Sequence, residues 1–188
     1  MGTRGAFGVV IGEVEKISYN QFDSYPDGCG IDNLRWLRDA DLNEIRRLAE
    51  SVEVVNDDRK PTTEEIAKLR PYTDLSVHEQ TTDDWYCLTR DTHGDIEKML
   101  ECGYILDSSD FPLDSLFCEW AYIVDLDKNA FEAYKGFQHS PPTRGRWAGR
   151  RNENGGYAAV ELVGSWPLDA LPDDDEFLAL DKDEEEED

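Results

Sequence analysis

The sequence is poor in basic residues and lacks long apolar runs. Its 188 residues include 19 Lys and Arg against 43 Asp and Glu, which gives a formal net charge of -24 at pH 7. No stretch approaches the ~18 consecutive apolar residues of a membrane-spanning helix, and no apolar core of a secretion signal follows the first residues. Phosphate repels so negative a surface, which argues against direct nucleic-acid binding through a broad basic face. We therefore expect a cytoplasmic protein that does not bind a membrane.

Motifs of catalysis and metal binding are also missing. The three histidines, His78, His93 and His139, stand in polar sequence without a neighbouring nucleophile, and we expect all three on the surface. No phosphate-binding loop, nucleophile elbow or zinc-protease motif is present. Segment 125–129 carries alternating acids but lacks the glycine and the bidentate Glu of a calcium loop, so a β-turn explains it better. The sequence thus predicts no catalytic residue, no metal site and no cofactor.

The four cysteines form no C-x-x-C pair and match no zinc-ligand spacing. Free thiols are therefore expected, in keeping with a reducing cytoplasm. Cys87, Cys102 and Cys118 stand among apolar or aromatic residues, where Cys behaves as a small hydrophobic side chain.

Apolar patterning predicts about five strands, arranged mostly in hairpins. Residues 6–19 and 117–137 each have two apolar runs that flank turn-forming residues. Residues 157–166 add one further strand. With helices between the hairpins, the expected fold is α+β: an antiparallel or mixed sheet built from hairpins and packed against a layer of helices.

Several helix starts can be recognised. A helical pattern begins after Asp32, a plausible N-cap, and restarts at Asp41. Thr62 and Glu65 have the spacing of a capping box, in which each side chain satisfies a free backbone amide. A further helical region is predicted over residues 83–101.

The negative charge is unevenly distributed. Residues 173–188 hold eleven acids and one base, and end in six consecutive acids that repel one another. We therefore predict a single α+β domain over residues 1–172 and a largely disordered acidic C-terminal tail over residues 173–188.

The polar loop at residues 19–30 is the first candidate binding segment. Aromatic and hydrogen-bonding groups follow the end of a predicted strand, where binding loops often lie. The candidate residues are Tyr19, Asn20, Asp23 and Tyr25. An ordered turn, with polar side chains capping backbone amides, is the alternative.

A basic island at residues 139–151 is the second candidate. Arg144, Arg146, Trp147 and Arg150 lie in a polar stretch without an acid. Arginines around a tryptophan can bind an acidic partner or a phosphate. Docking of the acidic tail and a simple solvated, mobile loop are the alternatives.

Three segments carry a resemblance to known proteins: Gly2-Thr3-Arg4-Gly5, Tyr19 to Pro26, and the hairpin end Tyr134-Lys135-Gly136-Phe137. Together they resemble an uncharacterised family of small acidic proteins from bacteriophages and actinobacteria, over most of residues 1–172. The resemblance implies no site residue, because no activity is established for that family. It implies a phage-associated protein of the host cell cytoplasm.

These features favour a non-catalytic accessory protein that acts by protein–protein interaction, on a host or phage partner with a basic surface. Inhibition of a host factor, by competition with nucleic acid for a basic groove, is one form of this hypothesis. The acids that could mimic phosphates are Asp39, Asp41, Glu44, Glu50, Glu53, Asp57 and Asp58. The alternative is a small hydrolase-like enzyme with a site near the 19–30 loop and the 138–151 loop.

Overall fold

The computed structural model describes residues 2–150 and 156–182. Within these ranges the chain forms seven strands and six α-helices. The strands are β1 (Gly5–Ile11), β2 (Val14–Asn20), β3 (Glu53–Val55), β4 (Tyr104–Leu106), β5 (Trp120–Asp125), β6 (Ala130–Lys135) and β7 (Glu161–Pro167). The helices are α1 (Ile31–Asp39), α2 (Leu42–Ser51), α3 (Thr63–Leu69), α4 (Trp85–Leu88), α5 (Ile96–Cys102) and α6 (Asp174–Leu178). The predicted α+β class is confirmed.

The main sheet is mixed, with the strand order β2-β1-β5-β6-β7. Both predicted hairpins, β1–β2 and β5–β6, are antiparallel, and β7 pairs antiparallel with β6. The two hairpins meet through a parallel pairing of β1 with β5, in which Gly5 lies opposite Trp120. A second, parallel pair formed by β3 and β4 was not predicted.

Both faces of the main sheet are buried because side chains alternate along the central strands. Phe7, Val9 and Tyr122 point into a cluster that they share with α1, α2, α5 and α6. Residues of opposite parity, such as Ala121 and Ile123, point into a cluster on the other face. The sheet is therefore covered by helices on one side and by loops on the other.

The helix starts agree with the sequence in part. The side chain of Asp41 caps α2, and Thr62 and Glu65 form the predicted capping box of α3. Asp32 is not an N-cap, because the preceding turn at residues 26–30 runs directly into α1 and places Asp32 in its first turn. Among the described residues, no helix is long and apolar enough to cross a bilayer.

The region predicted as helical over residues 83–101 is divided into α4, a 3-10 turn and α5. The division falls at residues 93–94, where Gly94 has a φ of +81°. A Cβ on Gly94 would lie 2.8 Å from the Asn20 amide nitrogen and 3.1 Å from Cys29 Sγ. The interruption thus lets this segment approach the loop that follows β2.

The first part of the predicted disordered tail belongs to the fold, which corrects the boundary placed at residue 172. Asp173 caps α6, and Phe177 is completely buried against Tyr122 and Phe131. Phe177 thus provides an apolar contact that the high content of acids in this segment did not lead us to expect. The six consecutive acids at residues 183–188 lie outside the described residues.

Candidate functional site

A concave surface with an apolar floor lies between α1, α2 and α5. It encloses about 650 Å³. Its floor is formed by Trp36, Ala40, Ile45, Leu48 and Leu100. The helices leave this opening because their most buried residues, such as Leu34 and Ala49, face the sheet instead.

Five carboxylates surround this floor: Asp39, Asp41, Glu44, Glu97 and Glu101. We call the whole surface the acidic groove. None of the described residues that line it is Lys or Arg. Glu44 has a partner outside the lining, since the exposed Arg47 donates to it and lowers its pKa. The groove therefore concentrates negative charge around apolar surface.

A buried lysine fixes α2, and with it one wall of the groove. Lys16 of β2 is 8% exposed, and its Nζ donates to the carbonyl oxygens of Ala49 and Val52 at 2.6 and 2.7 Å. These carbonyls lie at the C-terminal end of the helix, where cations are favourable. Burial lowers the pKa of Lys16, whereas Glu50 raises it.

A smaller cavity of about 280 Å³ adjoins the groove, and the two share Trp36 and Glu97 as wall residues. We call it the His93 cavity. The rest of its wall comprises Cys29, Asp32, Asn33, Asp91, His93, Gly94, Asp95 and Lys98. Four carboxylates and one ammonium group therefore surround it. The ammonium of Lys98 lies 3.1 Å from the carboxylate of Asp95.

His93 is buried at 9% exposure, which corrects the prediction of a surface side chain. Its ring lies edge-to-face against Tyr86, with ring centroids 4.9 Å apart. Burial, with a smaller contribution from Arg90, lowers the pKa of His93 to about 3, so the imidazole is neutral at pH 7. Its Nδ1 is buried and has no partner among the described residues.

Hydrogen bonds around Asn33 hold the base of the cavity. The Asn33 amide group donates to the carbonyl oxygens of Cys29 and Gly94, both at 2.7 Å, and its oxygen accepts from the backbone N–H of Ile96. One side chain thereby ties the start of α1 to the start of α5. The cavity is preorganised by this bridge.

Cys29, His93 and Asn20 have the residue types of a cysteine hydrolase, but their ionisation does not suit that chemistry. Burial raises the pKa of Cys29 to about 11, and Asp23 and Asp32 add to the effect. A nucleophilic cysteine needs its thiolate. The other thiols are free and buried, as predicted for Cys87, Cys102 and Cys118.

The candidate residues of the 19–30 loop have structural roles. Asn20 is buried and donates to Ser24 Oγ at 3.0 Å, while Tyr19 packs edge-to-face on Phe111. Asp23, with a φ of +60°, accepts the Cys29 N–H at its backbone carbonyl. The carbonyl of Tyr25 accepts from two glycines, although its ring is exposed.

The basic island divides into buried and exposed residues. Arg146 donates to Glu132 at 3.1 Å and also to Asp125, and Trp147 is completely buried beside Tyr134. Buried carboxylates and the apolar sheet face hold both side chains, which corrects the interpretation of this part as a solvated, mobile loop. Arg144 and Arg150 are exposed.

Asn20 and Arg146 lie towards opposite ends of β2. Arg146 lies 3.5 Å from Glu15 near the start of the strand, whereas Asn20 is its last residue. At roughly 3.3 Å per residue these ends are separated by about 17 Å. The structure therefore does not bring Asn20 and Arg146 together.

The start of the acidic tail does not dock on the basic island. Asp174 bridges to Arg35 and Arg38 of α1 at 2.6 and 2.5 Å. The two arginines lower the pKa of Asp174. They join α6 to α1.

Other predicted sites have structural explanations. Asp125 accepts from the backbone N–H groups of Asp127 and Lys128, which confirms the β-turn. His78 bonds to Asp84, which raises the pKa of the imidazole, and the ring of His139 packs at a tilt against Tyr157. Residues 2–150 and 156–182 contain no group of three or more side chains suited to a metal ion.

Sequence analysis identified only some of the acids that line the groove. Of the acids proposed to mimic phosphates, Asp39, Asp41 and Glu44 line it. Glu53 instead bridges to Arg59, and Asp57 lines another cavity. The acids contributed by α5 were missed. Amphipathic spacing on α5 shows which residues are exposed, but not that its exposed side faces α2.

Comparison with known proteins supplies no assignment: no protein-family model matches the chain, and no curated protein or solved structure is significantly similar to it. The resemblance to phage and actinobacterial proteins therefore remains a prediction.

Proposed function

We propose that the protein is a non-catalytic binding protein whose acidic groove takes a basic, amphipathic segment of a partner protein. One observation carries the proposal: five carboxylates surround an apolar floor, and no Lys or Arg is among the described residues that line it. Opposite charge steers a partner to such a surface and fixes its orientation. Burial of apolar side chains on the floor supplies affinity.

The shape favours an amphipathic helix as the bound segment. A helix bound in a groove presents apolar side chains at positions i, i+3, i+4 and i+7. Its lysines and arginines would then reach Asp39, Glu44 and Glu101 at the rim, while its apolar side chains would meet the partly exposed Trp36 and Leu48. Such a segment, in a host or phage protein, would be a basic surface that binds nucleic acid in other circumstances. Occupation by this protein would inhibit that binding.

The proposed setting is the cytoplasm of a host cell, where Cys87, Cys102 and Cys118 would remain reduced. We prefer this function to a hydrolase with a site near the 19–30 and 138–151 loops. The separation of Asn20 from Arg146 and the raised pKa of Cys29 both support the preference.

The test uses two synthetic peptides of lysine, arginine and leucine with the same composition. One has its leucines on one helical face, and the other has them shuffled. Isothermal titration against the full chain is expected to give tighter binding for the amphipathic peptide. Its affinity should fall with salt concentration, because charge contributes to the complex.

Two variants with equal loss of charge separate the groove from general electrostatics. The groove variant carries Asp39→Asn, Glu44→Gln and Glu101→Gln. The control variant carries Asp58→Asn, Glu64→Gln and Asp169→Asn, at exposed sites elsewhere. We expect at least tenfold weaker binding for the groove variant and less than twofold for the control. Equal losses in both variants would refute the groove as the binding site.

A further inference from the structure

The His93 cavity contains a buried polar atom that the acidic groove lacks. The hydroxyl of Thr89 donates to the carbonyl oxygen of Trp85 at 2.8 Å. Because a hydroxyl has one proton, its second contact, with His93 Nε2 at 3.3 Å, must be one that it accepts. His93 therefore carries its proton on Nε2, and Nδ1 is a bare acceptor.

This acceptor has no partner in the part of the chain that the structure describes. His93 forms part of the cavity wall, and its Nδ1 is buried without a hydrogen bond among the described residues. A buried acceptor without a donor destabilises the protein, because it has lost its hydrogen bonds to water. A ligand in this cavity whose hydrogen-bond donor reaches Nδ1 would recover that free energy. The neutral imidazole can therefore accept a hydrogen bond from an N–H or O–H group of a ligand.

The charges around the cavity select a cationic donor. Asp32, Asp91 and Glu97 contribute carboxylates, and Lys98 is engaged with Asp95. Their combined charge disfavours an anion and favours a cation. Trp36 adds an aromatic wall, and indole is the aromatic ring that attracts cations best.

The position of the cavity points to the source of the cation. The cavity opens beside the acidic groove, with Trp36 and Glu97 common to both. A side chain that projects from a segment bound in the groove can therefore enter it.

We infer that the His93 cavity is a specificity pocket for one arginine side chain of the basic segment that binds in the acidic groove. This inference rests on the proposed function. A guanidinium has five N–H donors in a planar fork, so it can bond to His93 Nδ1 and to a carboxylate together while it stacks on Trp36. An ammonium group is a compact, strongly hydrated charge that cannot stack in this way.

The first experiment replaces each arginine of the amphipathic peptide, one at a time, with citrulline. Citrulline keeps the planar end group and the length but removes the charge. We expect one position to lose at least tenfold in affinity and the other positions to lose less than threefold. Lysine at that position should restore binding only in part.

Two pocket variants test where that arginine lies. His93→Phe removes the acceptor, and Asp32→Asn with Asp91→Asn removes two exposed carboxylates without altering the core. In either variant, the citrulline and arginine peptides should bind with affinities within threefold of each other. If the double variant retains the full tenfold preference for arginine, the pocket assignment is wrong.

Titration with methylguanidinium chloride gives a readout that does not need the peptide. Nitrogen NMR of the His93 ring should show a saturable shift of Nδ1 for the full chain, with little effect of methylammonium. Peptide binding without a sensitive arginine, and without this shift, would overturn the pocket while leaving the proposed function intact. A methylguanidinium shift without peptide binding would overturn the proposed function and the arginine source together.

Discussion

Arg146 and Asp125 form an ion pair beneath the 138–150 loop, on the face of the sheet opposite the helices. The carboxylate of Asp125 is 1% exposed and the side chain of Arg146 is 9% exposed. The same guanidinium reaches Glu132, and the Arg146 backbone N–H donates to the hydroxyl of Tyr134. A polar network therefore anchors a loop whose composition suggested mobility.

Replacement of Arg146 by Met is expected to destabilise the fold by about 3–5 kcal/mol, because two buried carboxylates lose their main partner. Lys128, at 3.3 Å from Asp125, would compensate only in part. Urea unfolding would measure the loss. Arg144→Met, on the exposed part of the same loop, should change the free energy of unfolding by less than about 0.5 kcal/mol. Equal effects of the two substitutions would contradict a structural role for the ion pair.

His93 should make stability fall as the pH is lowered. Its pKa is about 3 in the folded protein against 6.5 for an unperturbed histidine. Between these pH values His93 is protonated in the unfolded chain but not in the native state. The free energy of unfolding therefore has its full value above pH 6.5 and falls as the pH is lowered towards 3. His93→Phe should make the free energy of unfolding depend less on pH between pH 6.5 and 5. Most carboxylates titrate only below this range. Unfolding curves at a series of pH values would measure this slope.

His78 provides a control of opposite sign. Its bond to Asp84 raises the pKa of the imidazole in the folded state. This contribution is present below pH 6.5 and is lost as the pH rises through the folded-state pKa. His78→Phe should therefore steepen the loss of stability on acidification. A flatter profile in both variants would contradict the assignment to His93.

Phe177 is expected to be essential for the C-terminal packing. Its ring is fully buried and contacts Tyr122, Phe131 and Trp166. Phe177→Ala should cost about 3–5 kcal/mol through the cavity it leaves. A chain that ends at residue 172 should be at least as unstable, whereas one that ends at residue 182 should unfold at the denaturant concentration of the full chain. Thermal and urea unfolding of the full chain, the Phe177→Ala variant and the two shortened chains would test this.

The capping box of α3 gives a local prediction. Thr62→Ala removes the hydroxyl that accepts from the Glu65 N–H, and should cost about 1 kcal/mol. Thr63→Ala, at the next and exposed position, should change stability by a few tenths of a kcal/mol at most. Equal losses at the two positions in urea unfolding would argue against the cap.

Features that depend on residues close together in the chain could be predicted from the sequence. Features that depend on contacts between distant segments could not. The β1–β2 hairpin and the capping box at Thr62 are determined by residues close in the chain, and both were predicted. The pairing of β1 with β5 and the approach of α5 to α2 join distant segments, and local patterning carries no information about such neighbours. The burial of Trp147 was missed for a related reason, because its own segment is polar and only the sheet face opposite it is apolar.

The candidate site shows the same division. The acids of α1 and α2 could be identified from composition, while Glu97 and Glu101 became part of the groove only through tertiary packing. The unpartnered acceptor of His93 could not be anticipated, since it depends on which contact the hydroxyl of Thr89 donates. Residues 19–25 attracted attention because turn-forming and ligand-binding segments have similar compositions.

The parallel pairing of β1 with β5 also bears on how the chain is made. During synthesis, β1 can pair with β2 at once, but its other edge stays open until the segment beginning at Trp120 has left the ribosome. An apolar strand with an open edge is a template for pairing with another chain. The nascent protein is therefore most exposed to aggregation over the middle of its translation. Slower growth or a chaperone during that interval should raise the soluble yield more than a substitution that stabilises the finished fold.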